Sequence, residues 1–164
     1  MMADPMMADS IPGLTFRTAG RRDVPDLVRL IADDALAIGG DSDPLDPLYA
    51  EAFDRMAAQP GNRMVLAELD GRPVGCFQLT VVHGLGRRGA ARATIESVKV
   101  ASDLRGRGIG GAMMRHAVDL ARAEGCALVQ LTTQTRRTDA HRFYKRLGFQ
   151  DSHIGMKLDL TRDG

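Results

Sequence analysis

One short run constrains this chain more than any other. It is Leu104 to Met114, LRGRGIGGAMM, in which Gly106, Gly108, Gly110 and Gly111 stand between a strand-like segment ending at Val100 and a helix-like segment beginning at Ile109. Glycine loses more backbone entropy on folding than any other residue, and within a helix it costs up to about 1 kcal/mol relative to alanine. Four glycines at a helix start therefore imply a need for close backbone approach. Bare N–H groups at a helix N-terminus favour an anion, which makes the run a candidate phosphate cradle. The same letters fit two patterns. Gly106, Gly108 and Gly111 read as G-x-G-x-x-G, while Arg105, Gly108 and Gly110 read as R-x-x-G-x-G. A turn that binds nothing is the third reading.

The flanking chain chooses among them. A dinucleotide site needs a strand running straight into the first glycine and an acid at the end of the next strand, about 20 residues on. Here Ala101 to Arg105 intervene, and the next strand ends QLTT without an acid. No Lys-Ser or Lys-Thr follows the glycines, which excludes a P-loop.

Periodicity and turn residues predict the remaining elements. LTFRTA (Leu14 to Ala19) alternates as a first strand, and Asp23 with Pro25 and Asp26 predicts a helix start with Asp23 as its cap. GGDSDPLDP (Gly39 to Pro47) ends that helix, and a second follows over Leu48 to Ala58. RMVLAEL and PVGCFQLTVV flank Asp70-Gly71, a strong hairpin signal. HGLGRRG (His83 to Gly89) turns the chain into a third antiparallel strand, AARATIESVKVA. A helix then runs from Ile109 to Glu124 with Gly125 as its stop, followed by the strand CALVQLTT, the helix TDAHRFYKRLGF and a last strand, DSHIGMKLDL. The order β-α-α-β-β-β-α-β-α-β predicts an α/β fold with a mixed sheet flanked by helices on both sides.

Residues 1–12, which contain the near-duplication MMADPMMADS, read as a disordered leader, and residues 13–162 as a single domain. A net charge of +1 gives no basic field for nucleic acid. No apolar run approaches the roughly 18 residues that a membrane span requires. No signal pattern opens the chain, so a cytoplasmic location is expected. Cys76 and Cys126 lie in apolar runs and read as core residues, and the histidines show no ligand spacing, so no metal is expected.

The run VKVASDLRGRGIGGAMM closely resembles the signature of the GNAT superfamily of acetyl-CoA-dependent N-acetyltransferases, and Arg105, Gly108 and Gly110 match its R-x-x-G-x-G motif. ATIESVKV resembles that family's fourth strand. Ala140, Tyr144, Gly148 and Phe149 match its A-x-x-x-Y-x-x-x-G-F segment. The resemblance covers roughly Leu14 to Leu160 and includes the element order.

It implies that backbone groups of Arg105, Gly106, Arg107, Gly108, Ile109, Gly110 and Gly111 hold the diphosphate of coenzyme A, and that Arg105 or Arg107 adds a charged contact. It implies that Val98 and Val100 offer their backbone to the pantetheine arm. Attack on a thioester requires a neutral amine, and amines of pKa about 8 to 10 are mostly protonated at neutral pH, so a base is needed. Glu96 is the leading base, sharing strand parity with Val98 and Val100, and His83 is the second candidate. The resemblance gives Tyr144 the role of acid toward the departing thiolate. One departure stands out: many relatives place an asparagine just before the tyrosine segment, and here that stretch is TQTRRTDA, with Arg136, Arg137 and Thr138.

Selectivity in the family is set by the first two helices and by the loop between the third and fourth strands. Asp41, Asp43 and Asp46 in the first region would suit an ammonium, and Arg87 and Arg88 in the second an acid group. The expected activity is acetyl transfer to the primary amine of a small molecule, such as an amino acid or amino-sugar phosphate. The alternatives are a protein or peptide N-acetyltransferase and a non-catalytic acyl-CoA-binding sensor. Many relatives are dimers, so the resemblance admits a homodimer.

Overall fold

The computed structural model describes residues 10–33 and 43–161. Most of the expected leader, and Asp41, lie outside the described residues. The elements are β1 (Leu14–Thr18), a 3-10 turn (Arg21–Asp23), α1 (Val24–Ala32), α2 (Pro47–Ala57), β2 (Asn62–Leu69), β3 (Arg72–Val82), a four-residue turn α3 (Gly86–Gly89), β4 (Arg92–Val100), a 3-10 turn (Ser102–Leu104), α4 (Ile109–Ala123), β5 (Leu128–Leu131) and α5 (Thr138–Arg146). They fall into two compact units that divide after Leu131.

In the first unit the strands form one sheet in the order β1-β2-β3-β4-β5. The first four pair antiparallel and β5 runs parallel to β4. The β2–β3 hairpin closes on Asp70-Gly71, with φ of 50° and 81°, the left-handed pair that a two-residue hairpin turn requires. Opposed residues of paired strands share a face. One face therefore carries Val65, Phe77, Leu79 and Ile95, all at most 2% exposed. It packs against Ile109, Met113, Met114 and Ala117 of α4, likewise at most 2% exposed. A Cβ on Gly75 would lie 2.6 Å from the Met113 sulfur and 2.9 Å from the Lys99 carbonyl oxygen, so this approach requires glycine. On the opposite face Met64, Leu66 and Cys76 pack against Leu27 and Leu30 of α1, with Phe53 and Met56 of α2 beside them. Burial pushes the Cys76 thiol up to about 12, as suits an inert core residue.

Asp23 does not cap α1. The chain enters that helix from the 3-10 turn with Asp23 already helical, and its side chain makes no bond to the amides of α1. Its carboxylate instead accepts hydrogen bonds from the Gly20 amide at 2.7 Å and from Arg17 at 2.7 and 2.8 Å. Arg17 also pairs with Glu68 at 2.9 Å. The guanidinium holds the Asp23 carboxyl down at about 2.

In the second unit α5 ends at Gly148, whose φ is 91°, and the Phe149 amide reaches back to the Tyr144 carbonyl at 3.1 Å. The strand expected over DSHIGMKLDL is not formed. Ile154, Met156, Leu158 and Leu160 alternate as a strand should, yet they are 85–93% exposed. Alternation places side chains on one face but supplies no partner for backbone N–H and C=O groups. Among the described residues, the second unit holds no other strand with which to pair.

Candidate functional site

The glycine run follows β4 through a clamped turn. The Asp33 carboxylate, at the end of α1, accepts from the Ser102 amide at 2.7 Å and its hydroxyl at 3.1 Å. Arg105 donates to the carbonyls of Val100 at 3.3 Å and Asp33 at 3.4 Å. These contacts spend part of the Arg105 guanidinium on the turn itself, whereas exposed Arg107 has no side-chain partner among the described residues. Gly106 and Gly108 have φ of 76° and 83°, and Gly108 is the N-cap of α4. No side chain caps that helix and its first turn holds no acid. The amides of Ile109, Gly110 and Gly111 are thus left as uncapped donors at the positive end of the helix dipole. A Cβ on Gly106 would meet nothing within 4 Å, and residues 105–108 are exposed.

Beside this cradle, β4 outruns its β5 partner. Its pairing with β5 ends at Ile95 opposite Leu131, whereas its pairing with β3 runs on to Val100 opposite Gly75. Residues 96–100, including Val98 and Val100, therefore have no β5 partner on one side.

Within that stretch the ladder is bulged. Gln78 opposes Glu96 and Cys76 opposes Lys99, so Ser97 and Val98 together face Phe77. Ser97 takes a left-handed φ of 51°. The extra residue inverts the alternation. Glu96 lies on the α1/α2 face with Gln78 and, past the bulge, Lys99, while Val100 lies on the α4 face with Gly75. The parity expected between Glu96 and Val100 is broken for this reason. The Glu96 side chain is exposed.

In the second unit, the Tyr144 ring stands edge-on to Phe143 at 5.0 Å and to Phe149 at 5.8 Å. Burial raises its phenol above the usual value, and the nearby Arg137 charge opposes this in part. Arg136 donates to the Gln134 side chain at 2.9 Å, and Arg137 is the N-cap of α5.

The model of the acetyltransferase (GNAT) family matches residues 26–149, most of the chain. The chain belongs to the GNAT acetyltransferase family. Members of that family take their acyl group from acetyl-CoA. The chain is 38% identical to a protein described as a transcriptional regulator from Bacillus halodurans, with a TM-score of 0.84 over 90% of this chain and 99% of that one. It is 33% identical over 91 residues to an uncharacterized N-acetyltransferase of Methanocaldococcus jannaschii, covering 54% of this chain but 39% of that protein. It is 34% identical over 90 residues to the glucosamine 6-phosphate N-acetyltransferase of Trypanosoma brucei brucei, covering 55% of this chain and 59% of that enzyme.

The residues of this GNAT chain fit the coenzyme. Uncapped amides, an absence of first-turn acid and two left-handed glycines at the start of α4 would suit a diphosphate, and the β4 edge that outruns β5 ends one short turn away. Sequence reasoning did not find the bulge at Ser97 or the clamp by Asp33. An aspartate just beyond the last apolar position of α1 reads as an ordinary helix end, and only the fold brings it to Ser102. Two of the acidic residues expected near a substrate are engaged locally. Asp43 accepts from the Leu45 amide at 2.9 Å, and Asp46 caps α2 through the Leu48 amide at 2.9 Å. Exposed His83 follows β3, and in the turn after it Arg87 and Arg88 both take left-handed φ, at 50° and 60°. Among the described residues no group of three or more His, Cys, Asp or Glu could hold a metal ion, and no helix is long and apolar enough to cross a membrane.

Proposed function

We propose that this chain transfers the acetyl group of acetyl-CoA to the primary amine of a small molecule by direct attack. The observation that carries this reading is the uncapped, glycine-opened N-terminus of α4 beside the β4 edge that outruns β5. Bound there, the coenzyme supplies an activated acetyl thioester. The amides of residues 109–111 would hold its diphosphate, and the β4 edge past Ile95, which has no β5 partner, would line its arm as an added strand does. As the amine nitrogen bonds to the carbonyl carbon, Glu96 accepts the proton the nitrogen loses, directly or through one water; His83 is the second candidate for this role. The carbon–sulfur bond breaks, and Tyr144 donates its phenolic proton to the sulfur and recovers one from solvent. Tyr144 owes its place in this scheme to its position in the A-x-x-x-Y-x-x-x-G-F segment. The raised phenol keeps the donor protonated throughout the neutral range. The trypanosomal relative, by its name, acts on an amino-sugar phosphate, which supports a small polar amine.

Following thiol release with acetyl-CoA and a panel of amines tests the proposal. Tyr144→Phe is expected to lower kcat about 100-fold with unchanged coenzyme affinity. Loss of affinity instead would make Tyr144 a packing residue. Because the acid must be protonated and burial raises its pKa, the alkaline fall in kcat should come above the ordinary phenol value of about 10. An alkaline fall below pH 9 would remove Tyr144 from the role. The Bacillus relative's description as a regulator favours one second reading, an acyl-CoA-binding sensor. Tight coenzyme binding without turnover on any amine would support that reading.

A further inference from the structure

The α1/α2 face of the sheet changes character halfway across. Beyond Met64, Leu66 and Cys76 it carries Asn62, Gln78, Thr80, Thr94, Glu96 and Gln130. Strand pairing puts all six on one face: Asn62 opposes Thr80, Gln78 opposes Glu96, and Thr94 lies between Thr80 and Gln130. Their neighbours in sequence, Phe77, Leu79 and Ile95, are buried on the other face.

The row is pre-ordered. The Asn62 side-chain carbonyl accepts from the Gln78 amide at 2.8 Å and from the Thr80 hydroxyl at 3.1 Å. The Asn62 amide donates to Gln59, just past α2, at 2.7 Å. Gln130 donates to the Thr94 hydroxyl at 3.2 Å. These bonds leave the Gln78 carbonyl oxygen, a Thr80 lone pair and the Thr94 hydroxyl hydrogen without partners among the described residues. The row thus offers two neutral acceptors and one neutral donor, and its single charge is the Glu96 carboxylate. Arg92 and Lys99, on the same face of β4, lie beyond it at either end.

We infer that this row is the acceptor subsite and that the acceptor is a polyhydroxylated amine of the amino-sugar class, its ammonium at Glu96 and its hydroxyls on Gln78, Thr80 and Thr94. A hydroxyl both donates and accepts, so it can meet either kind of group. An alkylamine would leave these groups unpaired on binding. The inference rests on the acetyl-transfer reading and deepens it.

The test compares glucosamine with cyclohexylamine, two ring amines with and without hydroxyls. The chain is expected to show kcat/KM at least tenfold higher for glucosamine. Gln78→Leu and the shape-conserving Thr94→Val should each cut that ratio about tenfold through the glucosamine KM, consistent with the loss of one hydrogen bond, with the acetyl-CoA KM unchanged. A wild-type chain without preference, or a ratio unmoved by both variants, would overturn the inference and leave the row a solvated sheet face. Calorimetric titration of glucosamine onto the coenzyme-A-loaded chain judges the row independently of turnover. Heat that Gln78→Leu abolishes supports it, and no heat from the wild type contradicts it. Acetylation of neither amine despite that heat would instead count against acetyl transfer.

Discussion

The two faces of the sheet carry different duties within the same strands. The α4 face is apolar across its centre and closed by one helix, so Phe77, Leu79 and Ile95 lose essentially all their exposure. The α1/α2 face is apolar only under its helices and polar beyond them. It also bears the single charged residue buried among the described residues, Asp23, through its pairing with Arg17. In β3 the contrast is one residue wide, between Gln78 and Leu79. A face that only packs can be dry throughout, whereas a face that is also to serve as the proposed acceptor subsite must stop packing partway.

The largest expected effect sharpens this contrast directly. Leu79→Ala should cost about 3 kcal/mol of stability in urea unfolding, from lost burial and a residual cavity. Gln78→Leu, one residue away, should change stability by less than about 1 kcal/mol, since it empties no core. Equal losses at the two positions would break the comparison. A smaller effect tests the charge on the second face. Asp23→Asn should cost about 2 kcal/mol at pH 7. The folded-state pKa of Asp23 is depressed, so its contribution is present above the unfolded value near 3.9 and is lost as pH falls toward about 2. The gap between wild type and variant should therefore have mostly closed at pH 2. A gap independent of pH would mean that Asp23 acts by shape alone.

Much of the fold was legible because its signals are local. Asp70-Gly71 announces a hairpin, Gly125 and Gly148 end helices, and the glycines before Ile109 mark a helix start with its donors bare. The family motif then points to that loop as the place for the coenzyme. What could not be read depends on partners distant in sequence. The bulge at Ser97 has no composition of its own, since serine is neither a strong turn former there nor a glycine. One extra residue nonetheless reverses which face Glu96 shares with Val100. Asp23 has the letter and position of a helix cap, yet Arg17 offers its carboxylate a stronger, charge-assisted bond. The row from Asn62 to Gln130 spans four strands, and four of its members, Gln78, Thr80, Thr94 and Gln130, come from segments that read as ordinary strands. DSHIGMKLDL, in which Ile154, Met156, Leu158 and Leu160 alternate, predicts a last strand, but alternation cannot say whether a ladder partner is at hand.

The central claim is that the glycine run anchors the acyl donor while the chemistry lies elsewhere. Calorimetric titration of acetyl-CoA onto the wild type, Gly108→Asp and Tyr144→Phe tests it most directly. Aspartate tolerates a left-handed φ better than most residues, so Gly108→Asp should cost about 1 kcal/mol of stability and remain folded. Its carboxylate would nonetheless occupy the uncapped amides and repel a diphosphate. The account predicts acetyl-CoA binding weakened at least tenfold in Gly108→Asp and unchanged in Tyr144→Phe. Undiminished binding by a folded Gly108→Asp protein would contradict it.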